Sequence, residues 1–155
     1  MKAPVDTKMT VNELKVGGMD IQFEENTSES EVKAILENYN VTIYRLDYDV
    51  DMGDKYYIMV ENNKRMIVRN ELKSALDIKK GDYYIISLSK QAIEDKSFLE
   101  ILDKNNLQVK TFVWCYINFG DGSKNWIPER DEVRIKNALE MNEKVLTVFP
   151  DYIEG

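Results

Sequence analysis

Asp47-x-Asp49-x-Asp51 is the cluster in this sequence with metal-ligand spacing, three carboxylates at alternate positions as the opening of a calcium loop requires. Such a loop also needs a glycine at its sixth position and a bidentate acid at its twelfth, and Met52 and Ile58 stand there instead. Asp121-x-Ser123-x-Asn125 repeats the spacing and has Glu132 at the twelfth position, but Trp126 replaces the glycine. Asp47, Asp49 and Asp51 are therefore incomplete metal candidates, better explained as an acidic strand face that ends in a tight turn. No metal and no cofactor is expected.

Other chemistries are removed by what is missing. The chain has no histidine and a single cysteine, Cys115, which excludes Ser-His-Asp and Cys-His catalysis, imidazole or paired-thiolate zinc sites, c-type haem attachment and an internal disulfide. Cys115 lies in the apolar run from Phe112 to Ile117, where a buried structural thiol is expected. There is no phosphate-cradling glycine loop, dinucleotide fingerprint or nucleophile elbow. Carboxylate pairs such as Glu24 with Glu25 and Glu129 with Glu132 leave acid-base hydrolysis formally open, but nothing singles out one pair. The expectation is a non-enzymatic protein.

The 155 residues are 43% hydrophobic, an ordinary composition for a folded chain. With 28 acidic and 21 basic side chains the net charge is −7, which repels a phosphate backbone, so nucleic acid is excluded as a partner. No run is long and apolar enough to cross a bilayer. Residues 1–16 form a polar N-terminal lead, either a disordered terminus or what remains where an export or anchor segment has been removed.

The elements that must position these residues follow from periodicity. Met19 to Glu24 alternates as a strand, Ser28 with Glu31 forms a capping box, and Val32, Ile35, Leu36 and Tyr39 make the inner stripe of a helix. Val41–Val50 and Tyr56–Val60 predict a hairpin around Asp51-Met52-Gly53-Asp54, followed by a helix carrying Val68, Leu72, Ala75 and Leu76. A second series has a strand from Tyr83, a helix through Phe98, Ile101 and Leu102, and a strand from Lys110 to Phe119. It continues with a short strand at Trp126-Ile127, a helix opened by Pro128 with Ile135 and Leu139 inward, and a last strand stopped by Pro150.

The two series are related at a spacing of about 66 residues: Ala34-Ile35-Leu36-Glu37-Asn38 returns as Glu100-Ile101-Leu102-Asp103-Lys104. The predicted class is α+β, two tandem ferredoxin-like (βαββαβ) halves over residues 17–79 and 80–153. The first half lacks a clear closing strand, since Asp77 to Asp82 is short and polar, and the strand from Tyr83 is expected to join both halves in one continuous antiparallel sheet.

Between Phe112 and Phe119 both strand faces are apolar. Phe112, Trp114 and Tyr116 lie on one face and Val113, Cys115, Ile117 and Phe119 on the other, so the surplus face must meet either the first half or a partner. Packing against the first half is expected, because two small units need a shared interface. An exposed binding site is then expected at the hairpin ends, near Tyr56, Tyr57 and Trp126.

Val11 to Gly18, the strand Ile21-Gln22-Phe23-Glu24-Glu25, the helix Glu31 to Asn40 and the run Phe112 to Ile117 together resemble an uncharacterised protein family of methanogenic archaea, the unknown-function (UPF) family zero-two-two-eight. The resemblance covers nearly the whole chain from about Ala3 and implies no activity. It implies relatives with an apolar N-terminal anchor or signal, hence an extracytoplasmic or membrane-anchored location for the full-length product. The first half alone is similar to prodomains of subtilisin-like proteases, which implies an inhibitor-like alternative. The reading is a non-enzymatic, surface-tethered or extracytoplasmic domain that binds a protein or small ligand, with an intracellular metabolite-sensing domain as the runner-up and a carboxylate hydrolase third.

Overall fold

A computed structural model describes residues 13–64, 77–120 and 124–153. Among them are nine strands and four helices. In chain order these are β1 (Lys15–Phe23), α1 (Glu29–Asn38), β2 (Ile43–Asp47), β3 (Tyr56–Glu61), β4 (Asp77–Lys80), β5 (Tyr83–Leu88) and α2 (Lys90–Glu94). There follow α3 (Lys96–Lys104), β6 (Lys110–Thr111), β7 (Val113–Phe119), β8 (Ile127–Pro128), α4 (Glu129–Leu139) and β9 (Val145–Ile153).

The strands form two antiparallel sheets. One, sheet A, has the order β2-β7-β1, with β8 and β9 both paired to β1; the other, sheet B, has the order β4-β5-β3-β6. This corrects the expectation of consecutive halves in one continuous sheet. In sheet A the first and last of the described strands pair with each other, Ile21 opposite Val148 and Asp20 opposite Phe149. The described strands of sheet B all lie between β2 and β7 in sequence, with β4 and β5 paired to each other. Periodicity reports which face of an element is apolar, not which strand it pairs with.

Several local expectations change for the same reason. β2 and β3 are not a hairpin: β2 pairs with β7 in sheet A and β3 with β5 and β6 in sheet B. The run from Lys110 to Phe119 is likewise split at Phe112 into β6 and β7. Asp77-Ile78-Lys79-Lys80 does form a strand, because Gly81 at φ +62° turns the chain tightly into β5 and supplies a pairing partner that a short polar strand needs. β1 starts at Lys15, so the lead overlaps the strand, and β9 continues through Pro150 to Ile153, where an edge position tolerates a missing N–H. The helix expected around Val68, Leu72, Ala75 and Leu76 lies outside the described residues.

Helix starts follow their sequence signals. Ser28 and Glu31 make the capping box of α1, Ser89 caps α2, and Asp95 accepts from the Ser97 and Phe98 backbone N–H groups to start α3. Val32, Ile35 and Leu36 bury against sheet A with Leu139 of α4, around Met19, Ile21, Phe23, Cys115, Ile117 and Phe119. Phe98 and Leu102 of α3 bury against Ile58, Val60, Ile86 and Leu88 of sheet B.

Between the sheets lies a third cluster of Tyr57, Ile85, Phe112, Trp114 and Leu146. Tyr57 and Phe112 stack at 4.3 Å, and Trp114 packs against Phe112 and Phe149, each at 6.0 Å between ring centroids. The surplus apolar face of the 112–119 run thus meets the other sheet at Phe112 and Trp114, whereas Tyr116 is only half buried. The layers run helix, sheet A, aromatic seam, sheet B, helix.

Truncating Trp114 to Ala removes a side chain only 6% exposed from the seam and should cost about 3–5 kcal/mol. Chemical denaturation measures this directly, and a variant as stable as the parent would show that the seam does not hold the sheets together.

Candidate functional site

The Val50 N–H donates to the Trp114 carbonyl at 2.8 Å, and the Phe112 N–H to the Lys55 carbonyl at 2.8 Å. Between these two bonds one strand spends Val50 to Lys55 and the other only Phe112 to Trp114, so Asp51-Met52-Gly53-Asp54 is extruded from the ladder as a wide bulge. The extruded loop lies on Trp114. The indole Nε1 donates to the Asp54 carbonyl at 2.9 Å, and Gly53 has φ +52° with its Cβ position 3.2 Å from the indole ring, so a side chain there would be strained.

The loop, the start of β3 and the end of β5 enclose a cleft of about 340 Å³ lined by Asp51, Gly53, Asp54, Lys55, Tyr56, Leu88 and Lys90. That is the size of a small-molecule site. Lys55 reaches Asp51 at 3.1 Å across the loop. The lining thus includes two lysines, two aspartates and Tyr56, which also packs against the cluster holding Leu88. A second depression of about 360 Å³ lies between α1 and the α4–β9 turn, where Lys144 reaches Glu31 at 2.6 Å. The Lys144 hydrogen bond, and then the Ser28 cap, hold the Glu31 carboxyl down to about 2.

The structure separates the residues singled out by sequence. Tyr56 and Asp51 meet in the cleft, but Tyr57 is a correction: it is fully buried in the seam, its Oη accepting from the Glu25 N–H at 3.0 Å, because adjacent strand residues face opposite sides of sheet B. Trp126 lies at the opposite end of β1 between Lys15 and Lys124, whose ammonium groups sit 4.7 and 4.6 Å from its ring centre. The length of β1 separates Trp126 from Tyr56 by roughly 25–30 Å. Of the aspartates, Asp47 pairs with Arg45 at 3.2 Å and Asp51 with Lys55, while Asp49, at φ +54°, turns the chain between them. No three acidic, cysteine or histidine groups converge on a metal position among the described residues. Asp121 and Ser123 lie outside those residues, and Glu132 is buried in α4, where desolvation raises its pKa and neighbouring Glu129 and Glu140 add to the effect. The Glu25 carboxylate accepts from the Thr111 N–H at Oε2, and the Glu24 main-chain carbonyl accepts from the Thr27 hydroxyl.

Lys90, Leu88 and Asp54 were not legible as site residues. Lys90 and Leu88 reach the cleft only because β5 pairs with β3, bringing Leu88 opposite Tyr56. Cys115 is fully buried and desolvation pushes its thiol up to about 11, the environment of an inert structural thiol. No helix among the described residues is long and apolar enough to cross a membrane.

Residues 40–154 match the model of an uncharacterised protein family, UPF0228. A UPF0228 protein of Methanosarcina acetivorans is 51% identical over 92% of this chain and 81% of its own length. A second from the same organism is 51% identical over 87% of the chain but only 42% of its own length. A Methanosarcina mazei UPF0228 protein is 49% identical over 95% of the chain and 88% of its own length. No solved structure is a significant match.

Two predictions follow from the site chemistry. Thermal melts in chelator and in millimolar calcium should nearly coincide, since Asp47 and Asp51 are engaged by Arg45 and Lys55; a calcium-dependent rise abolished in Asp49→Asn would overturn this. Burial raises Tyr57 to about 12 from 10.0 and Cys115 to about 11 from 9.0. Both groups are held neutral by the fold, so their contribution is intact below the unfolded values and is lost as pH climbs through the folded ones. The melting temperature should therefore fall between about pH 9 and 12 and fall less in Tyr57→Phe; parallel alkaline profiles for the two proteins would contradict the assignment to Tyr57.

Proposed function

We propose that this chain, which belongs to the uncharacterised protein family UPF0228, is a binding module without a catalytic step of its own, working outside the cytoplasm or tethered to the cell surface. Its site is the cleft between the 51–54 loop and the end of β5, and its ligand is a small molecule carrying both charges. The observation that carries this reading is the composition of the cleft: Lys55 and Lys90 as cations, Asp51 and Asp54 as anions, and the Tyr56 ring, around a volume of about 340 Å³. A zwitterion meets both signs there without leaving an uncompensated charge. None of these groups is a poised nucleophile with its base, which supports binding over turnover.

The architecture also supports a binding role. β1, α1, β2, β7, α4 and β9 follow one another as βαββαβ with the spatial order β9-β1-β7-β2. In sheet B the spatial order β6-β3-β5-β4 repeats that plan. We read these as two ferredoxin-like units, one nested in the other, with the cleft where the chain passes between them.

Thermal-shift measurements against α-amino acids and small dicarboxylates test the proposal. A true ligand at about a hundred times its Kd should stabilise the protein by about 2.7 kcal/mol, and Lys90→Ala should abolish that gain without lowering the unliganded melting temperature. Zwitterions that bind no better than singly charged analogues of the same size, or a gain retained in Lys90→Ala, would refute the assignment.

A further inference from the structure

The inward face of α4 carries an acid where an apolar side chain would be expected. Glu132 is only 1% exposed, on the same stripe as Ile135 and Leu139, which pack on sheet A. Its Oε2 has no hydrogen-bond partner among the described residues. A buried carboxylate without a donor is costly, whereas a buried carboxylic acid brings its own proton.

The surroundings show why a donor is missing. Lys136 and Glu140 follow Glu132 at i+4 and i+8, so one ammonium stands between two carboxylates along one face of the helix. That ammonium is committed to the second of them, Lys136 Nζ lying 2.7 Å from Glu140 Oε2. The same Glu140 oxygen accepts from the Val148 N–H at 3.1 Å and from the Thr147 hydroxyl at 3.4 Å, which ties the end of α4 to β9, a strand paired with β1 alone among the described strands. The remaining charged groups are engaged elsewhere. Glu129 Oε2 accepts from the Tyr152 hydroxyl of β9 at 2.8 Å, Lys80 of β4 donates to the Glu140 carbonyl, and the Lys15 ammonium at the start of β1 lies over Trp126. β8 contributes Ile127 and Pro128, which do not titrate. Burial raises the Glu132 pKa, Lys136 opposes the rise, and Glu129 and Glu140 add to it.

We propose that Glu132, Lys136 and Glu140 form a proton-driven toggle at the junction of α4 with β9. While Glu132 is protonated, Glu140 holds Lys136 and, with the same oxygen, the Val148 N–H. When Glu132 releases its proton to solvent, Lys136 keeps all of its own and swings to the newly charged neighbour. Two features favour that move. A glutamate four residues before a lysine is the better order of such a pair on a helix, and Glu140 retains the Val148 N–H and the charge of Lys80 when Lys136 leaves, whereas Glu132 has no other donor. The junction is therefore tight on the acid side of the Glu132 titration and looser on its alkaline side.

NMR of the full chain from about pH 4 to 9 tests the toggle, following the Glu132 carboxyl carbon and the Val148 amide in wild type, Glu132→Gln and Lys136→Met. The Glu132 carbon is expected to titrate above the usual glutamate range, with the Val148 amide shifting at the same midpoint. Protection of that amide against exchange, compared with Glu132→Gln at the same pH, should drop about two- to fivefold across the midpoint. Glu132→Gln should abolish the step at Val148, and Lys136→Met should move the Glu132 midpoint further up, because the ionised form has lost its counter-ion. The toggle is overturned by a Glu132 carbon that titrates in the ordinary range or stays protonated throughout, by a Val148 amide that does not respond as Glu132 ionises, or by a step that survives in Glu132→Gln. It is equally overturned if Lys136→Met leaves the midpoint in place, since a lysine that reaches Glu132 must influence its titration.

Discussion

The rest of the structure depends on the packing of Phe112 and Trp114 between the two sheets. Among the described residues each sheet has helices on one face, and apolar residues on the other faces, among them Tyr57, Ile85 and Leu146, are buried together in this seam. A sheet with two apolar faces and one cover is unstable in water, so neither sheet has a complete core without the other. The ring contacts add geometric preference to area: Tyr57 lies nearly parallel to Phe112, 18° between planes, and Trp114 meets Phe112 on edge at 62°.

That seam explains why the chain crosses where it does. Both long extended segments pass from one sheet to the other beside the same rings, in opposite directions, and stay hydrogen bonded at Val50 to Trp114 and at Phe112 to Lys55. A ladder that bends sharply between two sheets cannot keep equal spacing on both strands. Extruding Asp51 to Asp54 absorbs the mismatch, and the indole N–H satisfies a carbonyl that the bend would otherwise leave without a partner. The cleft is thus a by-product of the bend, its rim fixed by the core beneath it.

A second tie acts away from the rings. Lys80 of β4 donates to the carbonyls of Glu140 and Val145, at the end of α4 and the start of β9, so a cation from sheet B neutralises the negative end of a helix packed on sheet A. Desolvation lowers the Lys80 pKa and Glu140 and Glu24 counter it. Polar and aromatic contacts both bridge the layers, and the bridging groups come from segments remote in sequence.

How much of this was legible follows from the range of the forces involved. The capping box of Ser28 and Glu31, the inward stripe of Val32, Ile35 and Leu36, the alternation of the strands and the burial of Cys115 are local or periodic properties, written into consecutive residues. The two apolar faces of the 112–119 run called for a cover, internal or from a partner, and the seam supplies an internal one at Phe112 and Trp114. Strand pairing is set by closure over the whole chain. Asp51-Met52-Gly53-Asp54 has the composition of a hairpin turn and became an extruded loop because β2 found β7 while β3 found β5. Asp77 to Lys80 looked too polar to be a strand until Gly81 turned it onto β5. Tyr56 and Tyr57 were indistinguishable by composition, yet the pleat sends one to the cleft and the other to the seam. By itself the sequence determined which residues must be buried and which chemistries are impossible, because those depend on side-chain type and local period. Only the tertiary structure decided which charged groups face one another, because Lys90 and Asp51 become neighbours solely through pairing between strands far apart in the chain.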